Sequence, residues 1–284
     1  MKTGVTGATG QLGRLVVEGL KIRGLSANVV ALVRSPQKAA DLGVEVREFD
    51  YNNPTQLVEA LRGIEKLILI SGSELGKRAT QHANVIDAAK KAGVKWVVYT
   101  SLLHADRSTL SLAPEHFATE KALQASGLLY TILRNGWYTE NYTGSIGGAI
   151  AGGAFIGSAG NGKISSAARA DYAEAAIEVI TGDGHQGKIY ELAGDKSYTL
   201  ADLAAEISKQ SGKEIPYNNL PETEYAKILK SFGIPEGFAN AIAGWDVGVS
   251  KGNLLDESHQ LSKLIGRPTT QLTTTVKEAL AEIK

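Results

Sequence analysis

The chain has 284 residues, with 30 basic and 30 acidic side chains and no cysteine. Balanced charge with no long run of one sign argues against nucleic acid or an anionic membrane surface as the main partner, and the missing cysteine excludes disulfides, thiolate metal sites and cysteine nucleophiles. No stretch reaches the roughly 20 apolar residues of a membrane span and no signal peptide is visible, so a cytoplasmic protein of one large domain or two small ones is expected.

A short strand leads into Thr6-Gly7-Ala8-Thr9-Gly10-Gln11-Leu12-Gly13. A helix follows, and residues 29–33 form a second strand that ends at Arg34-Ser35. Gly7, Gly10 and Gly13 make a close variant of the G-x-G-x-x-G fingerprint, with one extra residue in the first gap. The first glycine allows the tight turn, the second lets backbone approach a pyrophosphate, and the third lets helix pack closely on sheet. The helix start then offers free N–H groups and a positive dipole end to phosphates. An NAD site places an acidic residue at the end of the second strand, for the ribose 2′-hydroxyl. Arg34 stands there instead and suits a 2′-phosphate, so the expected cofactor is NADPH.

Strands and helices keep alternating. Residues 44–48 read as a strand, 50–54 as a turn, and Pro54 as the first residue of a helix through 61. The continuous apolar run over 67–70 suits a buried parallel strand. A helix over 80–92 closed by Gly93, a strand over 96–100, a helix over 114–125 closed near Gly127, and a strand over 129–134 complete the series. This alternation predicts an α/β fold with a doubly wound parallel sheet, the Rossmann architecture, with right-handed crossovers.

After Asn135 the pattern changes. Residues 144–163 are glycine-rich with few regular signals, a composition that predicts mobility. A helix over 170–180, a strand over 188–192, a helix over 200–210 capped by Thr199, and a last helix over 270–283 follow. The expected division is a dinucleotide-binding domain over 1–135 and a smaller, mainly helical substrate part over 136–284, from which about 188–193 returns to the main sheet. Such a part belongs over the carboxyl ends of the strands, where ligands bind in these sheets. No apolar stripe declares an interface, so the oligomeric state stays open.

Val5-Thr6-Gly7-Ala8-Thr9-Gly10-Gln11-Leu12-Gly13 resembles the atypical short-chain dehydrogenase/reductases of the NmrA-like group. Tyr99-Thr100-Ser101-Leu102-Leu103-His104-Ala105-Asp106 and Leu133-Arg134-Asn135-Gly136-Trp137-Tyr138-Thr139-Glu140-Asn141-Tyr142 are similar to the bacterial type 2 NAD(P)H:quinone oxidoreductase branch. So are Leu192-Ala193-Gly194-Asp195 and Lys263-Leu264-Ile265-Gly266-Arg267-Pro268-Thr269-Thr270. The resemblance runs nearly end to end, and the Ser101-Leu102-Leu103 segment separates it from the related triphenylmethane reductases. It implies that Gly7, Ala8, Thr9, Gly10, Gln11 and Leu12 bind the pyrophosphate and Arg34 the 2′-phosphate. It implies that Gly72, Ser73 and Glu74 border the ribose and diphosphate. Asn135, Gly136, Trp137, Tyr138, Thr139 and Glu140 would line the nicotinamide side, and Arg169 is a further cofactor position. The chain departs from the pattern at Gly4, where an apolar residue is usual, and a glycine there weakens a strand.

Ordinary members of the superfamily use a Tyr and a Lys four residues later, with a Ser nearby. The matching helix here has Phe117 and Lys121, so the phenol is missing. That argues against alcohol–ketone chemistry. It does not oppose quinone reduction, because a hydroquinone anion is a much weaker base than an alkoxide, and cofactor and positioning then carry the step. Candidate catalytic residues are Ser101, Lys121, Asn135 and Tyr138. Each has a plainer alternative: Ser101 as a polar turn residue directly after its strand, Lys121 as an exposed helix lysine, Asn135 as a cap, and Trp137 and Tyr138 as core packing rather than a flat wall for a ring. His116 and Glu120 share a helix face at i, i+4, but no third ligand is visible and no metal site is expected. His104 is read as a loop hydrogen bond, His82 as local, and His185 and His259 as surface residues.

These observations favour an NADPH-dependent reductase of quinones or similar conjugated rings. An NADP(H)-sensing binding protein without turnover explains the missing phenol equally well. A reductase of azo or triphenylmethane dyes keeps the enzyme and changes the acceptor.

Overall fold

Short aliphatic runs bounded by turns build the main sheet of the computed structural model, which describes residues 1–283. In chain order β1 (Lys2–Thr6), α1 (Gln11–Ile22), β2 (Val29–Val33), β3 (Glu45–Glu48), α2 (Pro54–Ala60), β4 (Ile64–Leu69), α3 (Arg78–Ala92), β5 (Trp96–Leu102), α4 (Ala113–Ala125) and β6 (Leu129–Asn135) alternate. There follow α5 (Glu140–Thr143), α6 (Ile146–Gly152), β7 (Phe155–Gly157), α7 (Arg169–Thr181), β8 (Ile189–Leu192), α8 (Leu200–Ser211) and β9 (Tyr217–Asn219). The chain closes with α9 (Glu222–Ser231), α10 (Glu236–Ser250), α11 (Gln260–Ile265) and α12 (Leu272–Glu282).

The seven-stranded sheet has the order β3-β2-β1-β4-β5-β6-β8. The pairs β1–β2, β1–β4, β2–β3, β4–β5 and β5–β6 are parallel. Every residue of β2 and β5 is buried, as strands covered on both faces must be. The order switches direction between β1 and β4, and crevices outside the carboxyl ends of strands at such a point bind ligands. At Gly4 a Cβ would lie 3.0 Å from Cδ1 of Ile64 and of Leu32, so large neighbours already fill the space its missing side chain leaves.

Two compact units interleave along the chain. The first comprises Met1–Asp106, Leu112–Asn135 and Arg169–Glu191; the second comprises Arg107–Ser111, Gly136–Ala168 and the residues from Leu192 onward. A single cut at Asn135 does not describe this division. α7 belongs with the first unit: Arg23, which caps the end of α1, pairs with Glu178, and Lys66 of β4 donates to the Ile180 carbonyl at 2.8 Å.

In the second unit the glycine-rich 144–163 segment, which carries few regular signals in the sequence, forms regular elements. It holds α6 and β7, and β7 pairs in parallel with β9, Phe155 opposite Tyr217. Thr199 caps α8 as expected. It accepts from Asp202 N at 3.1 Å while Asp202 accepts from Thr199 N at 2.8 Å, a capping box.

Candidate active site

The glycine loop joins β1 to α1. Gly7 takes a left-handed φ of +58°, which a side chain would strain, and its carbonyl accepts Gly10 N at 2.8 Å. Ala8 and Leu12 are buried and anchor the loop, whereas Gly7, Gly10 and Gln11 are exposed and Thr9 is half-buried. Gly13 meets the loop from the helix side: a Cβ there would sit 2.2 Å from the Gly7 oxygen. No side chain caps the start of α1, so its first N–H groups lack a side-chain acceptor at the position where a phosphate would provide one.

Two sequence-predicted residues from separate strands meet at the rim. Arg34, beyond β2, bonds Glu74, beyond β4, at 3.1 Å, and Lys77 lies 3.2 Å from the same carboxylate. Hydrogen bonding from Lys77, aided by the nearby charges, holds Glu74 below its usual pKa. The backbone at Gly72 is held on both sides. Its N–H donates to His82 Nε2 at 2.9 Å, and its carbonyl accepts Arg78 Nε at 2.5 Å. Glu115 accepts the Gly76 and Arg78 N–H groups at 3.2 and 3.0 Å. His82 is fully buried, with Nδ1 3.0 Å from Thr119 Oγ1, and burial followed by the Arg78 charge pushes it down to about 3. It is therefore a neutral imidazole whose Nε2 accepts and whose Nδ1–H donates.

The superfamily's catalytic positions look different here. Ser101 does not follow its strand; β5 runs through Leu102 because Ser101 and Leu102 pair with Arg134 and Asn135 of β6. Its buried hydroxyl donates to Glu120 Oε1 at 2.5 Å. Glu120 in turn takes a two-pronged bond from Arg134, at 2.9 Å from Nε and 2.7 Å from Nη2. Arg134 Nη1 reaches Glu191 at 2.8 Å and Asp106 at 2.9 Å. Burial opposes the Arg134 charge, but the hydrogen bonds it donates to Glu120 and Glu191 outweigh this and raise its pKa. His104, at φ +54°, donates its backbone N–H to Glu191 of β8 at 2.9 Å. Lys121 is exposed, and its ammonium stands 4.9 Å from the centre of the Phe117 ring. His116 bonds Tyr99 and Glu120 serves Arg134, and no metal-ligand cluster occurs among the described residues.

Asn135 is the last residue of β6 rather than the first beyond it, and it is 3% exposed. Both polar atoms of its side-chain amide are buried without a hydrogen-bond partner. Groups in that state are rare. Its own carbonyl accepts Leu103 N at 2.9 Å, so the backbone there is tied down. Within the second unit the next residues are also held. Gly136 N donates to Leu192 O at 2.7 Å and Thr139 N to Ala167 O at 2.9 Å, and the Thr139 hydroxyl lies 2.8 Å from Ser166 Oγ. The Trp137 ring stands edge-on to Trp245, with centroids 5.5 Å apart. Tyr138 pairs with Ala167, Glu140 begins α5, and Arg169 is half-buried at the start of α7.

A family model described as NAD(P)H-binding matches residues 7–183. Quinone oxidoreductase 2 of Escherichia coli K12 is 58% identical over 275 residues, which is 96% of either chain. The chain belongs to the NAD(P)H-binding, NmrA-like family that includes quinone oxidoreductase 2. Among its solved structures, the NADPH complex of E. coli NADPH-dependent quinone oxidoreductase QOR2 matches with a TM-score of 0.95 at 56% identity, covering 98% of this chain and 99% of that one. Citrobacter sp. triphenylmethane reductase complexed with NADP(H) matches with a TM-score of 0.94 at 39% identity, covering 98% and 100%.

Sequence reasoning missed the residues that shape this family member's first unit from behind. Arg134 was visible as a charge at the end of an apolar strand, and Glu120 as the partner of His116, but neither signal links the two. Arg78 and Tyr51 gave no signal at all. Tyr51, at 2.6 Å from Thr6 Oγ1 and 2.9 Å from the Ile70 carbonyl, braces the carboxyl ends of β1 and β4.

Proposed function

We propose that this chain is an NADPH-dependent reductase of quinones and similar conjugated ring compounds. The observation that carries the reading is the end-to-end likeness to E. coli quinone oxidoreductase 2, at 58% identity with no large unmatched segment on either side. The residues present fit the cofactor: an uncapped helix start behind a glycine turn, an arginine at the second strand, and a buried amide with nothing to bond. Gly7 to Leu12 would hold the pyrophosphate, Arg34 the 2′-phosphate, and Gly72, Ser73 and Glu74 the neighbouring ribose and diphosphate. Asn135 would bond the nicotinamide, bordered by Gly136, Trp137, Tyr138, Thr139 and Glu140, with Arg169 as a further contact. In this reading the first unit holds the cofactor and the second holds the substrate, and the cytoplasm is the place of work. No helix of the described residues is long and apolar enough to cross a membrane.

NADPH, when bound, supplies a hydride. The chain's own residues bind and orient. Phe117 replaces the phenol, and Ser101 is committed to Glu120, so neither is disposed to protonate a strongly basic alkoxide. A quinone suits such a site because its reduced form is a weak base that water can protonate. Positioning then supplies most of the rate. Asn135 and Tyr138 orient the reacting rings, and Lys121 supports the helix edge beside Phe117.

Replacing Arg34 with Ala tests the cofactor half. Losing a charge-assisted hydrogen bond to phosphate weakens NADPH by about 10- to 100-fold and leaves NADH little changed. Equal losses for both cofactors would overturn the assignment. Tight NADPH binding with no turnover of benzoquinone or naphthoquinone would replace the reductase with a sensor.

A further inference from the structure

Asp246 is an acid inside an apolar stretch of α10, between Trp245 and Val247, and it is 5% exposed. Its Oδ2 accepts the Ser158 backbone N–H at 2.9 Å, and among the described residues no cation pairs with it. Burial lifts this carboxyl to about 6, against the opposing pull of the Ser158 N–H. Three phenols on three elements feel its charge: Tyr142 of α5, Tyr217 of β9 and Tyr225 of α9 are each raised by burial first and by the Asp246 charge in addition. The Tyr217 hydroxyl is engaged, donating to Asn219 and accepting Ala159 N. The hydroxyls of Tyr142 and Tyr225 bond no other described residue. Glu222 of α9 lies against Gly244, one turn-fraction away on α10.

Ser158 supplies the second observation. It is 8% exposed, and its Oγ is buried without any hydrogen-bond partner. A buried unpaired hydroxyl beside a buried acid that no cation neutralises can take a further polar atom.

We propose that Asp246 Oδ1, Ser158 Oγ and the hydroxyls of Tyr142 and Tyr225 form a subsite in the second unit for one oxygen of a planar ring substrate, taking a carbonyl when Asp246 is protonated and a ring hydroxyl when it is ionised. The chemistry follows from the inventory. A carbonyl oxygen only accepts, so it needs the acid's O–H together with the serine and tyrosine donors. A ring hydroxyl donates, and the carboxylate is the strongest acceptor in the set. The site therefore reads the oxidation state of its ligand through one proton. The identity of that ligand as a quinone and its hydroquinone rests on the reductase reading, and the covalent chain leads from Gly136–Glu140, the nicotinamide border in that reading, straight into the α5 that carries Tyr142.

The test is a binding titration without cofactor, following tryptophan fluorescence with Trp245 beside the acid. The probes are 1,4-naphthoquinone and, under anaerobic conditions, 1,4-dihydroxynaphthalene, from pH 5 to pH 8. The chain has no cysteine for the quinone to arylate. Quinone affinity is expected to fall by about tenfold per pH unit above the Asp246 transition, and dihydroxynaphthalene affinity to rise up to that transition and then level off. In Asp246→Asn both slopes vanish while binding persists, because an amide donates and accepts. Ser158→Ala weakens both ligands and keeps both slopes. Unfolding curves check that each variant is folded, and the near-isosteric Asn variant decides if others are not. Unchanged slopes in Asp246→Asn, parallel slopes for the two ligands, or no binding by the wild-type chain would overturn the subsite. Opposite slopes without quinone turnover would leave the subsite standing and remove the reductase reading. Turnover without the slopes would do the reverse.

Discussion

Replacing Gly13 with Ala puts one methyl group into the tightest point of the glycine loop. It would lie 2.2 Å from the Gly7 oxygen and 2.8 Å from both Ala8 Cα and Gly7 C. Carbon contacts begin near about 3.5 Å, so loop and helix must part by about 1 Å. All three obstructing atoms are backbone, and none can rotate away. The Gly7 carbonyl is also the acceptor of the Gly10 N–H, so the separation breaks the turn itself. Overpacking of this kind costs about 1–3 kcal/mol. Gly10→Ala is the control, since the same methyl there meets only the Gly7 oxygen, at 3.1 Å, and φ is an ordinary −77°. Urea unfolding should show a lowered midpoint for Gly13→Ala and a midpoint near wild type for Gly10→Ala. NADPH titration should show weaker binding for both, in the second case because the methyl faces the ligand instead of the protein. A Gly13→Ala chain that unfolds at the wild-type urea concentration would refute the packing argument.

Three further outcomes follow from the first unit's buried charges. His82 and His116 are both pushed down to about 3 by burial first and by the Arg78 charge next, so each is neutral when folded. Their contribution is complete above the unfolded value of 6.5 and is lost as pH falls toward 3. At pH 5 each costs about 2 kcal/mol. Thermal unfolding should therefore weaken steeply below pH 6.5, and His82→Gln should flatten that slope; an unchanged slope in the variant sinks the assignment. Glu120→Ala strips the two-pronged partner from buried Arg134 and should cost about 3 kcal/mol. Lys121→Ala, one residue on but exposed, should cost less than about 1 kcal/mol, the value of an exposed cation–π contact. Similar unfolding midpoints for the two variants would contradict the difference in burial.

The alternation of helix and strand was legible in the chain because its signals are local. β2 over Val29–Val33 coincides with the aliphatic run, and the Gly93 cap and the Thr199 capping box depend on residues within one turn. The glycine loop was legible for the same reason: a positive φ at position 7 and a close approach at 13 concern seven consecutive residues. The joining of Arg34 to Glu74 at one rim follows from strand order, which the fingerprint already implies.

Other features required the folded chain. The 144–163 segment has a composition that disfavours regular structure. Residues 155–157 nevertheless form a strand because 217–219, some sixty residues on, supply its ladder. In the sequence Ser101 looked like the residue after a strand ending at Thr100; pairing with Arg134 extends the strand through it, and its buried hydroxyl bonds Glu120. The Arg134 and Asp246 sites were invisible for one reason. A charge in a sequence carries no mark of burial, and whether it ends up paired with three carboxylates or alone among phenols depends on which distant backbone is packed over it. Local backbone preference determined the elements and the nucleotide loop. Non-local pairing and desolvation decided which polar groups are spent on structure and which, like the Asn135 amide, are buried without a partner.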